Sequence, residues 1–260
     1  IEACRIAAHY MTPVMLLTDG YIANAAEPWK VPDMSGYRPF PVQFHTDAPA
    51  DGGKVMPFER DGKLARRWIK PGTPGLMHRV GGIEKNPGTG DIDYSPGAHD
   101  EMTRTRASKV AGVADSIPDQ DVCLGQPGGK LAVVGWGSTF GPIHQAVRRM
   151  RARGHDVSHI HLRYIAPMPK NLAVLLGSYE HILVPEMNTG QLKTILRDQF
   201  LVDARSLTKV SGQPFRIVEI EAAIEEALSG HVGGAMPADQ TQLPEADSGH
   251  DPGAPAKAAL

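Results

Sequence analysis

At 260 residues and 41% hydrophobic content, the chain is long enough for one good core and part of a second. A formal net charge of -2 with mixed signs gives no basic field for a phosphate backbone and no polybasic stretch for an anionic membrane surface, so neither nucleic acid nor membrane is expected as a partner. The two cysteines, Cys4 and Cys123, lack the Cys-x-x-Cys spacing of metal and cluster sites, so no iron–sulfur cluster or zinc site is expected on this chain.

No apolar run reaches the roughly 18 residues that span a bilayer, and the N-terminus does not read as a secretory signal. The expected compartment is the cytoplasm. The sequence opens at Ile1 in a helix-like segment, residues 1–10, which leads into residues 13–18 (PVMLLT). That continuously apolar run reads as a strand buried on both faces and closed by the turn Asp19-Gly20. Such a helix and strand form the end of an α/β unit, so the chain is expected to begin inside a domain; a processed N-terminus is the alternative.

From Pro28 to Gly97, Pro and Gly are frequent and periodicity is weak, as in binding loops or interface arms. Ser95-Pro96 starts a helix, with serine as the cap and proline at the first position. The helix is expected to run to Val113, with Asp100 and Arg104 paired across one turn and Met102, Val110 and Val113 facing inward. From Lys130 the pattern becomes regular. Residues 131–136 form a buried strand, and Gly141-Pro142 opens a helix that buries Ile143, Ala146, Val147 and Met150 and ends at Gly154. Strands follow at 157–162, 181–185 and 206–210, separated by helices at 171–177 and 190–202, and this alternation implies a parallel sheet. A last helix carries the stripe Ile217, Ile220, Ile224 and Leu228, with Glu219, Glu221, Glu225 and Glu226 expected on a solvated face. Beyond Gly230 the absence of aromatics and the Ala, Gly, Pro, Asp and Gln bias predict a disordered tail.

Four short motifs are candidates for chemistry. The GWGST run at 135–139 stands between a strand and a helix, where backbone N–H groups hold anions, but Phe140 replaces the third glycine of a dinucleotide fingerprint. A tight strand-to-helix turn is the preferred reading. Asp19-Gly20 lies at the carboxyl end of its strand, where open sheets place ligands, although an ordinary Asp-Gly turn accounts for it as well. The stretch 75–84 (GLMHRVGGIE) joins an imidazole, a guanidinium and a carboxylate with permissive glycines, suited either to an anionic substrate or to a structural ion pair. Residues 185–190 (PEMNTG) sit at another strand end, with Asn188 or Thr189 as helix cap and Glu186 expected in a structural or interface role. Neither a Gly-x-Ser-x-Gly elbow nor a His-Glu-x-x-His site is present.

In succession these motifs resemble the alpha subunit of 2-oxoacid:acceptor oxidoreductases, in particular the 2-oxoglutarate:ferredoxin type. The resemblance covers residues 1–229 and is carried by 12–21 (TPVMLLTDGY), 27–32 (EPWKVP), 75–85, 88–92 (GTGDI), 134–139 (VGWGST), 162–167 (LRYIAP) and 184–188 (VPEMN). It implies an α/β fold: residues 1–37 as the C-terminal end of a thiamine-pyrimidine-type domain, 38–119 as an irregular connection with one helix, and 120–229 as a parallel-sheet, transketolase C-terminal-like domain. Residues 230–260 are the expected tail.

In such enzymes a 2-oxoacid is decarboxylated on thiamine diphosphate, electrons pass through an iron–sulfur cluster to ferredoxin, and coenzyme A takes the acyl group. The resemblance implies thiamine diphosphate, Mg2+ and the cluster in an assembled complex, with cluster, diphosphate and metal on a beta subunit and none bound by this chain alone. Catalytic residues are expected upstream of Ile1. Asp19, Gly20, His78, Arg79 and Glu84 are the candidates for substrate or interface contacts. Family members often show Gly-Leu-Glu-His where this chain has Gly75-Leu76-Met77-His78, which bears on His78 and Arg79. Two other readings stay open: a ferredoxin-independent thiamine-dependent dehydrogenase or transketolase-like subunit, and a non-catalytic α/β interaction module.

Overall fold

The computed structural model describes residues 1–37 and 39–230. The expected tail at 231–260 lies outside them. Five strands form one sheet in the order β1-β3-β2-β4-β5: β1 Val122–Leu124, β2 Gly129–Trp136, β3 Val157–Leu162, β4 Tyr179–Glu186 and β5 Ala204–Thr208. β2 runs parallel to both β3 and β4, and β4 runs parallel to β5. β1 is antiparallel to β3, with a register shift between Val122 and Leu124. The fold is therefore α/β with a mostly parallel sheet, as the alternation of elements implies, plus one short antiparallel edge strand that the sequence reading did not include.

Side-chain alternation along β2 explains the three layers. Leu131 and Val133 face one side, where α4 (Phe140–Ala152) and α7 (Ile217–Leu228) cover them with Ile143, Val147, Met150, Ile220 and Ile224. Ala132 and Val134 face the other side, against Leu172 and Leu176 of α5 (Leu172–Gly177) and Leu192 and Leu196 of α6 (Gln191–Phe200). A strand covered on both faces must be apolar throughout, which is why this region reads as continuous runs. Burying a Leu- or Ile-sized side chain contributes roughly 1.5–3 kcal/mol, so these two layers carry most of the hydrophobic stabilisation.

Upstream, α1 spans Glu2–Tyr10 and packs Ile6 and Tyr10 against Val113. The connection is tied to it by Trp68, whose Nε1 donates to the Ala8 carbonyl at 3.0 Å, and by Lys109, whose Nζ donates to the Met11 carbonyl at 3.1 Å. The helix expected after Ser95 is α3, Pro96–Gly112, with the Ser95 hydroxyl accepting from Ala98 N–H and the Asp100–Arg104 pair at 2.8 Å.

Several expectations are corrected. Residues 13–18 form no strand, and Met15, Leu16 and Leu17 are 82%, 81% and 64% exposed. A parallel strand needs a neighbouring ladder, and no described segment supplies one. The Asp19-Gly20 turn is instead the cap and first residue of a short helix, α2, Gly20–Asn24. Val110 is exposed, while Met102 and Val113 are buried. The strand expected at 206–210 is shifted to Ala204–Thr208, and Val210 lies outside it, exposed. Glu221 does not lie on a solvated face: it is buried and pairs with Arg149 of α4 and with Arg153, the C-cap of α4, so the two helices are joined by charge as well as by apolar contact. Glu219 likewise turns inward, to Lys209 and Arg216.

Candidate functional site

In the strand order, the chain leaves β2 for β3 on one side and then crosses back to β4 on the other. Open α/β sheets hold ligands at the carboxyl ends of strands where such a reversal occurs. At that place Leu17, Thr18, Asp19, Trp136, Gly137, Ser138, Thr139, Met187 and Asn188 line a crevice of about 190 Å³. Three motifs that are far apart in sequence thus meet: the TDG segment, the GWGST turn and the PEMN segment.

The turn after β2 is built for close approach. A Cβ on Gly135 would stand 2.4 Å from Ile143 Cδ1 and 2.8 Å from Thr139 Oγ1. Thr139 closes the turn by donating from its hydroxyl to the Trp136 carbonyl at 2.8 Å and accepting from Trp136 N–H at 3.2 Å. The anion that this turn holds is the chain's own: Ser138 N–H donates to Asp19 Oδ2 at 3.2 Å, while Asp19 Oδ1 accepts from Ile22 N–H at 2.9 Å and caps α2. Burial pulls the Asp19 carboxyl upward, but hydrogen bonding from Ile22 and Ser138 outweighs it and holds the group below its ordinary pKa.

Behind Met187 and Asn188, Glu186 is fully buried and accepts from Leu192 N–H at 2.8 Å, Lys193 N–H at 3.0 Å and Asn188 Nδ2 at 3.0 Å. It satisfies the free amides of α6, which Gly190 cannot cap with a side chain. Asn188 Oδ1 accepts from Gly190 N–H at 2.7 Å. Asn188 is thus fixed at the crevice mouth by its neighbours. The crevice offers a carboxylate, a hydroxyl, an amide and backbone N–H groups, a set suited to orienting a polar ligand or a facing chain. Behind the turn, His159 and His161 of β3 and His144 of α4 pack around Phe140, with ring centroids 5.0–5.2 Å from it.

Of the sequence candidates, Asp19 alone lines the crevice. Gly20 begins α2, with open space around it. His78 is exposed, its Nδ1 2.8 Å from the Leu76 carbonyl, and Arg79 is exposed beside it. Glu84 is engaged elsewhere, accepting from Arg106 at 3.0 Å and His99 at 2.7 Å, and these two bonds lower its pKa to about 2. Ser138 and Asn188 were absent from the candidate set. Ser138 gives no signal beyond its place in a turn after a strand, and Asn188 reads in sequence as a helix cap, a role that does not mark a crevice.

Residues 129–221 match the family described as pyruvate:ferredoxin oxidoreductase core domain II. The chain is 46% identical over 233 residues to the 2-oxoglutarate oxidoreductase subunit KorA of Mycobacterium tuberculosis, covering 89% of this chain and 35% of that protein. It is 26% identical over 239 residues to the alpha subunit of 2-oxoacid:ferredoxin oxidoreductase 1 of Aeropyrum pernix, covering 88% of this chain and 36% of that one. Among solved structures it resembles the 2-oxoglutarate:ferredoxin oxidoreductase of Magnetococcus marinus, solved with 2-oxoglutarate, coenzyme A and succinyl-CoA bound. The TM-score is 0.77 at 26% identity, over 86% of this chain and 39% of that chain. The chain spans about a third of the length of these curated relatives. With the sheet, the motif order and these likenesses in agreement, the chain is similar to part of the alpha subunits of 2-oxoacid:ferredoxin oxidoreductases, and residues 129–221 carry their core domain II.

Proposed function

We propose that this chain is part of the alpha subunit of a thiamine-diphosphate-dependent 2-oxoacid:ferredoxin oxidoreductase. The reaction is conversion of a 2-oxoacid, 2-oxoglutarate foremost, and coenzyme A to acyl-CoA and carbon dioxide, with electrons leaving to ferredoxin. The observation that carries this reading is the 46% identity to a 2-oxoglutarate oxidoreductase subunit across 89% of the chain. The domain assignment is part of the same proposal: 1–37 closes a thiamine-pyrimidine-type domain, 38–119 connects, and 120–229 is transketolase C-terminal-like. So are a beta-subunit partner and a cytoplasmic location. No described helix is long and apolar enough to cross a membrane.

The described residues do not fit a metal or a cluster. Among the described residues no group of three or more His, Cys, Asp or Glu side chains is placed to hold a metal ion. Cys4 and Cys123, both exposed, fall short of the four thiolates that a cluster takes. The proposal therefore puts the cluster, Mg2+ and the cofactor's diphosphate on the partner. This chain supplies the crevice wall, where Asp19 pins α2 to the turn at Ser138. Exposed Met15, Leu16 and Leu17 become a paired strand once the rest of the subunit provides a ladder, and His78 and Arg79 are proposed as contacts from the loop at 75–84. Glu84, already committed to Arg106 and His99, holds that loop to α3.

The test is an anaerobic assay of the native complex containing this polypeptide, following reduction of a viologen dye with 2-oxoglutarate and coenzyme A, and with pyruvate in parallel. Reduction that requires 2-oxoglutarate and coenzyme A is expected. If neither acid drives reduction in a complex shown to hold cluster and thiamine diphosphate, the assignment fails.

A further inference from the structure

Arg60 and Arg66 stand opposite each other in an isolated antiparallel bridge. Like charges directly across such a pair repel. Both guanidinium groups lie over the same ring, with Cζ 5.8 Å and 5.5 Å from the Phe58 centroid. Lys109 enters the same space from α3 and is only 9% exposed. Arg106 stands at the rim, and these four share a cavity of about 190 Å³ with a fifth cation, Lys85, whose Nζ donates to the Ile83 carbonyl at 2.8 Å.

None of the three inner cations forms an ion pair with a carboxylate among the described residues. Glu84, the acidic side chain lining the cavity, is taken by Arg106 and His99. Asp61 accepts from Lys63 N–H and Ala65 N–H in the tight turn between the two arginines. Arg60 donates from one terminal nitrogen to the Leu64 carbonyl at 2.8 Å, while its Nε is buried with no partner among the described residues. Among the described residues, Lys109 donates only to the Met11 carbonyl. Burial holds all three below their ordinary pKa values, and for Arg60 and Lys109 the neighbouring cations add to the effect. Glu101 acts on Arg60 and Asp61 on Lys109 from beyond ion-pair distance, and this offsets only part of the cost of crowding half-buried cations together.

We propose that Arg60, Arg66 and Lys109 form a binding site for a phosphoryl group. A phosphate dianion brings two charges and several acceptors to three inner cations, whereas a carboxylate brings one charge and two acceptor atoms. The cavity is large enough for one such group with water. The phosphoryl group belongs either to free phosphate or to the monoester end of a larger ligand. This site goes beyond the proposed reaction and does not depend on it.

The test uses the native complex and inorganic phosphate, by equilibrium dialysis at constant ionic strength with chloride as the background anion. Adenosine monophosphate serves as the monoester. Saturable binding is expected, weakened at least about tenfold by Arg66→Met or Arg60→Met, the loss of one charge-assisted hydrogen bond. In phosphate-free buffer Arg66→Met is expected to be no less thermally stable than the wild type, because it relieves the cross-strand repulsion. Tighter binding of the monoester assigns the site to a larger ligand, and tighter binding of phosphate assigns it to the free ion. In the wild type, phosphate should also slow phenylglyoxal modification of Arg66, read by peptide mass, which localises the site even if the variants do not fold. Absence of saturable binding by either probe, absence of protection, or binding unchanged in both variants overturns the proposal.

Discussion

The carboxylate of Asp19 accepts a hydrogen bond from the backbone N–H of Ser138 across 119 residues of chain. The same carboxylate caps α2, so one side chain fixes both the segment that enters the crevice and the turn that floors it. Replacing it with Ala removes both bonds, at a cost of about 1 kcal/mol for the cap alone. Amide hydrogen exchange should accelerate at residues 20–24 and at Ser138, and little elsewhere. Asp19→Asn keeps an acceptor and should fall between. Because the native carboxyl is held below its ordinary pKa, its contribution is present at neutral pH and is lost only as pH falls below about 4 toward the depressed native value.

Glu186 offers a sharper loss. Its two oxygens serve three donors in a fully buried setting. Glu186→Ala leaves the first amides of α6 without an acceptor and should destabilise by about 3 kcal/mol or more, given about 1.5–3 kcal/mol for a hydrogen bond to a charged group. Glu186→Gln retains one oxygen but turns a donor toward the other amides, and should recover part of that loss. Denaturant unfolding at neutral pH checks the order wild type, Gln, Ala.

Gly135 and Gly141, six residues apart, should respond in opposite ways to alanine. A Cβ at Gly135 meets Ile143 at 2.4 Å, so Gly135→Ala should cost about 1–3 kcal/mol by overpacking. At Gly141, inside α4, nothing lies within 4 Å, and Gly141→Ala should stabilise by roughly 0.5–1 kcal/mol. Thermal unfolding of the two variants side by side decides whether the turn is as tight as described.

The histidines behind the turn predict sensitivity to acid. Burial, then the charges of His161 and His144, lower His159 to about 3; burial lowers His161 to about 4, against a backbone hydrogen bond with Gly137 that raises it. In the native state both stay neutral below pH 6, whereas in the unfolded chain they protonate near 6.5. The unfolded state therefore binds more protons in that window, and stability falls as pH drops from about 6.5 toward 4. For His159 the slope reaches about 1.4 kcal/mol per pH unit. His159→Leu should flatten the curve of denaturation midpoint against pH between 7.5 and 5, since the buried Nε2 has no partner among the described residues to lose.

Much of the sheet was legible because β2, β3 and β4 are buried on both faces and leave a continuous apolar trace. The α4 stripe was legible for a related reason: Ile143, Ala146, Val147 and Met150 recur at helical spacing, and all four are fully buried. Misreadings arose where the deciding partner was distant. Glu221 looks solvated on its own helix and becomes buried only because α4 brings Arg149 and Arg153 to it. Residues 13–18 have the composition of a central strand, but composition cannot supply a neighbour to pair with. β1 is three residues long, too short for a period to show. The crevice suffered most, because Asp19, Ser138 and Asn188 each look like ordinary turn residues until the fold sets them side by side. The Arg60, Arg66 and Lys109 cluster had no local signature at all.

The two edges of the sheet are finished differently, and this restricts how the molecule can associate. At one edge β1 is short, antiparallel and out of register with itself, so it presents no long template to an incoming strand. At the other, β5 is five residues long with Arg205 in its interior and Asp203 immediately before it, and charge there discourages backbone pairing. A sheet so finished resists fibril-like growth during assembly, and leaves helix faces and strand ends as the surfaces on which a neighbouring chain can settle.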